Sequence, residues 1–383
     1  MDEPGVRALL ARMASSEPPP PQVDITTAAR NQGRRRLRWR RAGLGAVPLA
    51  ASAVAAIGLI VTGAVPFSLA GGHLGRPADN GRDPTAYVTF GTSDVLPVNL
   101  VTREPGKPIR LDMEIQSVVT APDGRTVYVG ASNMEGSDTA VIPISTATDV
   151  PGRPIRAGRS PRVTAFTPNG RTMVDGGWNT VWLTSMATGA IEKRINVGFP
   201  LSAAVTPDGM TAYVGTDPNS VTPVTLATGT LGKPVKVGQT PMAITITPDG
   251  QTVYVISDRS ATVTPISTAT NTPGRPIKIP RGDSMPIDAV ITPDGRTLYV
   301  MTGTNVVPIS TATNKAGKPI RIGNQPNLDG ISAGIAITPD GKWLYATTSS
   351  ALIPISTATN RPGRPIRIPT RFWQQLGQIA IAP

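Results

Sequence analysis

Seven times along this chain, a segment close to V-x-P-I-S-T-A-T-N-x-P-G-R-P-I-R-I-G is followed by some or all of A-I-x-I-T-P-D-G-R-T-x-Y-V. The tyrosine of the Tyr-Val pair counts the copies: Tyr87, Tyr128, Val174 in a substituted copy, Tyr213, Tyr254, Tyr299 and Tyr345, at spacings of 41, 46, 39, 41, 45 and 46 residues. A period of this length with four short β-rich runs per unit reads as the blades of a propeller. The expected fold is all-β, a seven-bladed β-propeller over residues 83–383.

One copy shows how a blade is built. Ala243-Ile244-Thr245-Ile246-Thr247 alternates apolar and polar residues, Pro248-Asp249-Gly250 makes a tight turn, and Thr252-Val253-Tyr254-Val255-Ile256 forms the next strand. A third strand runs through Val263-Thr264-Pro265-Ile266-Ser267, and the outer strand follows Thr272-Pro273-Gly274 as Arg275-Pro276-Ile277-Lys278-Ile279. Bases recur beside the proline of that outer strand: Lys107 and Arg110, Arg153 and Arg156, Lys233 and Lys236, Arg275 and Lys278, Lys318 and Arg321, Arg364 and Arg367. An outer strand is a sheet edge, and proline with basic side chains keeps an edge from pairing with another chain. The first copy starts at Asp83-Pro84-Thr85-Ala86-Tyr87 without an innermost strand, while Ile379-Ala380-Ile381-Ala382-Pro383 offers one without a blade. The C-terminal strand is therefore expected to complete the first blade and close the ring.

The segments Ile246-Thr247-Pro248-Asp249-Gly250-Gln251-Thr252-Val253-Tyr254-Val255 and Ile291-Thr292-Pro293-Asp294-Gly295-Arg296-Thr297-Leu298-Tyr299-Val300 resemble the YVTN-type β-propeller repeat of bacterial and archaeal surface proteins. The resemblance recurs in register over about 300 residues. The third copy departs from it, with Thr172-Met173-Val174-Asp175 in place of the aromatic strand, and no copy reads Tyr-Val-Thr-Asn. What the resemblance implies is the fold and a surface location; the family has no single activity.

Ahead of the repeats, residues 42–72 contain no charged residue and run through Ile57-Gly58-Leu59-Ile60-Val61, long enough for a transmembrane helix. Arg34, Arg35, Arg36, Arg38, Trp39, Arg40 and Arg41 precede it with no acid among them. This is a positive-inside signal and an attraction to anionic lipid. The expectation is a largely disordered cytoplasmic basic tail over 1–41, a signal anchor over 42–72, a linker over 73–82 and an extracytoplasmic propeller. A cleaved signal peptide is the alternative, which the 41 residues before the span disfavour. The net charge of +12 suggests polyanion partners at first sight; beside a membrane span the arginine run is read as a lipid contact, and no nucleic-acid partner is expected.

Loop lengths divide the ring into two faces. Six residues separate the turn proline from the tyrosine position in every copy that has both (Pro122 to Tyr128, Pro248 to Tyr254), and eight separate the turn alanine from the outer-strand apolar residue (Ala269 to Ile277). The other two connections vary, and in a four-stranded meander they share a face. Their longest members carry Arg281 and Asp283, then Asn324, Asn327 and Asp329, then Arg371, Phe372 and Trp373, with Glu135 and Asp138 in the second copy. These are the candidate ligand-binding residues, since function tends to sit on such loops over a rigid scaffold. Trp373 is the strongest of them, because an aromatic ring beside an arginine supplies contact area and planar hydrogen bonding. Arg281-Gly282-Asp283 matches an adhesion tripeptide too short to carry weight.

Much chemistry is excluded. The chain has no cysteine, and its only histidine, His73, lies outside the repeats, so the ring can use neither thiol nor imidazole catalysis. The aspartates Asp123, Asp208, Asp249, Asp294 and Asp340, with Asn169 in the third copy, each precede glycine and read as turn residues rather than calcium ligands. No cofactor, metal or catalytic residue is expected. The function that remains is a membrane-anchored module binding a protein or envelope glycan, with a histidine-free lactonase- or hydrolase-like enzyme and a structural surface protein as alternatives. Protease added to intact protoplasts should remove the propeller and leave the tail protected; the reverse pattern rules out N-inside insertion.

Overall fold

The computed structural model describes residues 83–383 apart from 134–138, 157–162, 178, 281–284, 324–332 and 370–374; the tail, span and linker expected over 1–82 lie outside the described residues. Within that range the regular structure is all β, in seven antiparallel sheets, and no helix occurs among the described residues. Blade five follows the repeat: an innermost strand Pro241–Ile246, a second strand Thr252–Ser257 and a third strand Thr262–Ser267, paired in that order. The ring closes as the repeat boundaries imply. Leu376–Ala382 pairs antiparallel with Thr85–Phe90, Thr85 opposite Ala382 and Tyr87 opposite Ala380, and supplies the innermost strand of blade one.

The core lies between blades, not within them. In Thr252–Ser257 successive side chains point to opposite faces, so Val253 and Val255 pack with Ala204, Tyr213 and Val221 of blade four. Tyr254 and Ile256 pack with Ala289, Leu298 and Val300 of blade six. A comparable cluster sits in every gap around the ring, including blade seven against blade one, where Tyr345 and Leu352 meet Ala86, Val88 and Ile381. Because both faces are buried, the alternation in Ala243-Ile244-Thr245-Ile246-Thr247 does not mark a solvent side: Thr245 is as buried as its apolar neighbours.

The outer edge differs from the expected continuous strand. In blade five it pairs as two fragments, Thr272–Pro273 and Ile277–Lys278, and Gly274-Arg275-Pro276 between them leaves the ladder. The cause is on the third strand. Pro265 has no N–H to offer, so only its carbonyl bonds outward, to Gly274 N at 2.7 Å. The ring of Pro265 lies so close that a Cβ on Gly274 would meet its Cγ at 3.1 Å. Blade three provides the internal comparison. Leu183 stands in place of the proline, Glu192-Lys193-Arg194 in place of Gly-Arg-Pro, and the outer strand runs unbroken over Ile191–Asn196.

Two contacts recur between neighbouring blades. The Gly of each Pro-Asp-Gly turn has positive φ and receives the turn proline of the preceding blade: Gly250 (φ 71) would place a Cβ 3.2 Å from Pro207, and Pro383 fills the same place over Gly124. The buried tyrosines make the second contact. Tyr213 donates to Asn271 Oδ1 (2.7 Å), Tyr254 to Asn314 (2.8 Å) and Tyr299 to Asn360 (2.7 Å), while Tyr87 donates to Asp149 Oδ1 (2.6 Å). Each acceptor belongs to the following blade and has φ between 53° and 59°, a conformation that Asn and Asp tolerate better than other side chains. Opposite Tyr128 and Val174 the same position is Gly189 and Gly229; there Tyr128 packs on Phe166 with ring centroids 4.8 Å apart. Opposite Tyr345 it is Arg103 (φ 66), whose guanidinium donates across the seam to the Arg364 carbonyl.

Tyr254→Phe leaves the Asn314 oxygen without its donor and should cost about 1 kcal/mol, lowering Tm at pH 8 by roughly 2–4 °C. Burial, with Asp249 adding to it, pushes the Tyr254 hydroxyl up from 10.0 to about 12. Its contribution is therefore whole below pH 10 and is lost as the pH rises through 12. The Tm difference between native and variant should close over that window; a difference constant to pH 12 would disprove the coupling.

Candidate functional site

Hydrogen bonds sort the turns onto two faces. On the first, Thr268 Oγ1 donates to the Gly250 carbonyl (2.7 Å), Thr311 to Gly295 (2.7 Å) and Thr357 to Gly341 (2.6 Å), so the two constant turn types are tied together. The turn aspartates serve this face. Thr247 Oγ1 and Gln251 N both donate to Asp249 Oδ1, at 2.5 and 3.0 Å. Burial pushes the Asp294 carboxyl up, but the Thr292 hydroxyl, the Arg296 amide and the Arg296 guanidinium together hold it below its ordinary value. A cleft of about 490 Å³ between the turns of blades five and six is lined by Asp249, Tyr254, Asp294 and Thr311, and these polar groups are already engaged in the bonds just described.

The second face carries the variable connections, and their roots are stapled blade to blade. Thr240 N donates to the Pro218 carbonyl of blade four (2.7 Å), and Asp258 N donates to the Thr240 carbonyl (3.0 Å). Gln375 O accepts from Gly91 N of blade one (2.9 Å), and Leu376 N donates to Ser349 O of blade seven (3.2 Å). The chain entering the closing strand is thus held between two hairpins. The ten candidate residues, Glu135, Asp138, Arg281, Asp283, Asn324, Asn327, Asp329, Arg371, Phe372 and Trp373, all lie outside the described residues. What the structure places is the floor from which their loops depart.

That floor contains polar groups that reasoning on loops alone misses. Five residues before the turn proline, the innermost strands of blades two, four, six and one carry Ser117, Ser202, Asp288 and Gln378, all buried. Three of them reach the next blade's innermost strand. Ser202 Oγ donates to the Pro241 carbonyl (2.7 Å); Asp288 Oδ2 accepts from Ile335 N (3.0 Å) while its Oδ1 accepts from Ala289 N (2.8 Å). Gln378 Oε1 accepts from Val118 N and its Nε2 donates to the Gln116 carbonyl, both at 3.1 Å. The signal was present in the repeat, as a polar residue at one fixed place in an apolar run. Burial pushes the Asp288 carboxyl well up, and the two amide bonds oppose that rise without cancelling it. In blade five, the Ser257, Thr262 and Thr264 hydroxyls and Asp258 Oδ1 are buried with no hydrogen-bond partner among the described residues. Burial raises Asp258, with Arg259 opposing.

No protein-family model matches the chain, and no curated protein matches it. Solved structures do. A functionally unknown protein from Desulfotomaculum acetoxidans is 17% identical over 78% of this chain and 99% of its own, with a TM-score of 0.66. The Cps50 (Swd1) β-propeller domain of Myceliophteria thermophila is 15% identical over 71% of this chain and 91% of its own, TM-score 0.58. Kuenenia stuttgartiensis hydrazine synthase is 23% identical over 62% and 75%, TM-score 0.54. At these identities the likeness is one of fold. The described chain is a seven-bladed β-propeller, a scaffold compatible with binding and with enzymatic roles.

A raised carboxyl pKa stabilises below the ordinary carboxylate value and loses that contribution as the pH rises through the folded value. Replacing Asp288 by Asn removes this dependence. The Tm of Asp288→Asn relative to native should therefore rise from pH 4 to pH 8, measured by thermal melts in matched buffers; a difference independent of pH would show that Asp288 ionises freely in the fold.

Proposed function

We propose that the ring is the extracytoplasmic binding module of a single-pass membrane protein of the YVTN-repeat kind, taking a protein or envelope glycan on its variable face. One observation carries this reading: every connection that varies in length leaves a single face whose roots are stapled between blades, while the opposite face is locked in repeating turns. A rigid floor with individual loops is how scaffolds present binding residues. The in-register recurrence of the repeat supports the family, and the uncharged stretch over 42–72 behind its arginine block supports the anchor. The arginines and Trp39 would sit on anionic lipid. The hydrolase alternative needs available carboxylates, and Asp288 on this side of the ring already holds two backbone amides.

A photo-crosslinking residue at position 373 in intact cells should form a discrete adduct, and one at exposed Met210, in a turn of the uniform face, should not. Protease or glycosidase sensitivity of the adduct then separates protein from glycan. In a binding measurement with the captured partner, Trp373→Ala should weaken affinity by about 2 kcal/mol or more, as loss of an aromatic anchor does. Adducts at 210 but not at 373 would place recognition on the uniform face.

A further inference from the structure

The outer strands hold more positive charge than blunting a sheet edge requires. Residues 83–383 contain 26 Lys and Arg against 20 Asp and Glu. Sixteen of those bases but only two acids, Glu104 and Glu192, fall in the outer segments 104–110, 150–156, 190–196, 230–236, 272–278, 315–321 and 361–367. The rim is therefore formally +14, and the rest of the ring, with ten bases against eighteen acids, is −8. The backbone already spoils the edge: the Gly-x-Pro step breaks the ladder into two-residue fragments that offer no continuous row for another chain to join. Edge protection needs only scattered charge, whereas here bases outnumber acids sixteen to two. Lys107, Arg153, Lys233, Arg275, Lys318 and Arg364, and their partners three residues on, are exposed. Among the described residues, one ion pair involves these twelve, Arg110 to Asp94 at 3.5 Å.

We propose that this girdle binds a flexible linear phosphate polymer, a single strand of phosphate esters or anhydrides laid around the rim. Charge complementarity selects a polyanion, and shape selects a flexible one. The bases recur blade after blade on a closed convex edge. A flat bilayer can touch such an edge at only one or two blades. Duplex DNA, with a persistence length of about 50 nm, resists bending round a body whose radius of gyration is about 20 Å at this chain length. A flexible polymer can follow the rim and engage many blades at once, releasing counterions at each contact. The site is separate from the variable face and does not depend on the loop ligand.

The test uses the full chain in detergent with Arg34, Arg35, Arg36, Arg38, Arg40 and Arg41 replaced by Gln throughout, so that the tail does not compete. The probes are inorganic polyphosphate and poly(glycerol phosphate); whichever binds more tightly identifies the anhydride or the ester as the source. Replacing Arg275, Lys278, Lys318 and Arg364 by Gln should raise the Kd for that polymer at least about tenfold at 0.15 M salt and reduce the slope of log K against log salt by about 3. Replacing the same number of bases on the uniform-face turns, Arg125, Arg171, Arg296 and Lys342, should change Kd less than about twofold. Thermal melts confirm that both variants fold. Equal weakening by the two sets, equally tight binding of duplex DNA, binding only to phosphatidylglycerol vesicles, or no binding of either polymer would each overturn the proposal.

Discussion

Each sheet of this ring buries both of its faces against neighbours, so a blade has no core of its own and every interface depends on the ring being complete. The junction of Leu376–Ala382 with Thr85–Phe90 therefore does more than add one strand pair. It presents Ile379 and Ile381 to the blade-seven side and Ala380 and Ala382 to the blade-two side, turning two open sheet faces into interior. Gln378 and Pro383 extend the same junction to blade two, through the Gln116 and Val118 backbone and the Gly124 turn. Covalently distant ends are thus joined by apolar burial, backbone bonds and one fitted proline ring.

The architecture was legible because its determinants are local and repeated. Pro-Asp-Gly turns, apolar runs and one tyrosine per copy are visible without knowing what they touch, and they specify blade number, strand order and the closing strand. What was not legible is what one copy does to another. The Tyr254–Asn314 bond joins residues 60 apart that no spacing rule connects. The Asp288–Ile335 bond is likewise invisible until innermost strands are set side by side. The split outer strand was missed for a related reason. Its cause, Pro265, lies on a different strand, and the consequence shows only against Leu183 in blade three. For the candidate loops, length variation identifies a face, whereas the arrangement of Arg281, Asn324 or Trp373 depends on contacts that no repeat encodes.

The ring divides its tasks by surface. One face is spent on cohesion, its threonines, aspartates and turn glycines bonded to each other in a repeating pattern that leaves little to vary. The opposite face is anchored only at its roots, which frees the connections above to lengthen. The rim is set by the proline-broken edge, where the backbone itself prevents strand addition and the side chains are released from that duty. Positive charge gathers on this surface while acids are kept to the turns and the inner strands.

The tyrosine and its acceptor never bond within the copy that encodes them. Blades five and six each contribute a donor to one seam and an acceptor to another, so a duplicate of either unit placed beside it brings one new donor and one new acceptor and leaves no half-bond behind. Such a bond is indifferent to how many units there are. It enforces adjacency but cannot count, and the number of blades must be settled by the angle between neighbouring sheets, where side-chain bulk in each seam decides how sharply the circle turns. Changes in the volume of seam residues such as Phe166 or Met173 thus bear on ring size in a way that loss of the tyrosine hydroxyl alone does not.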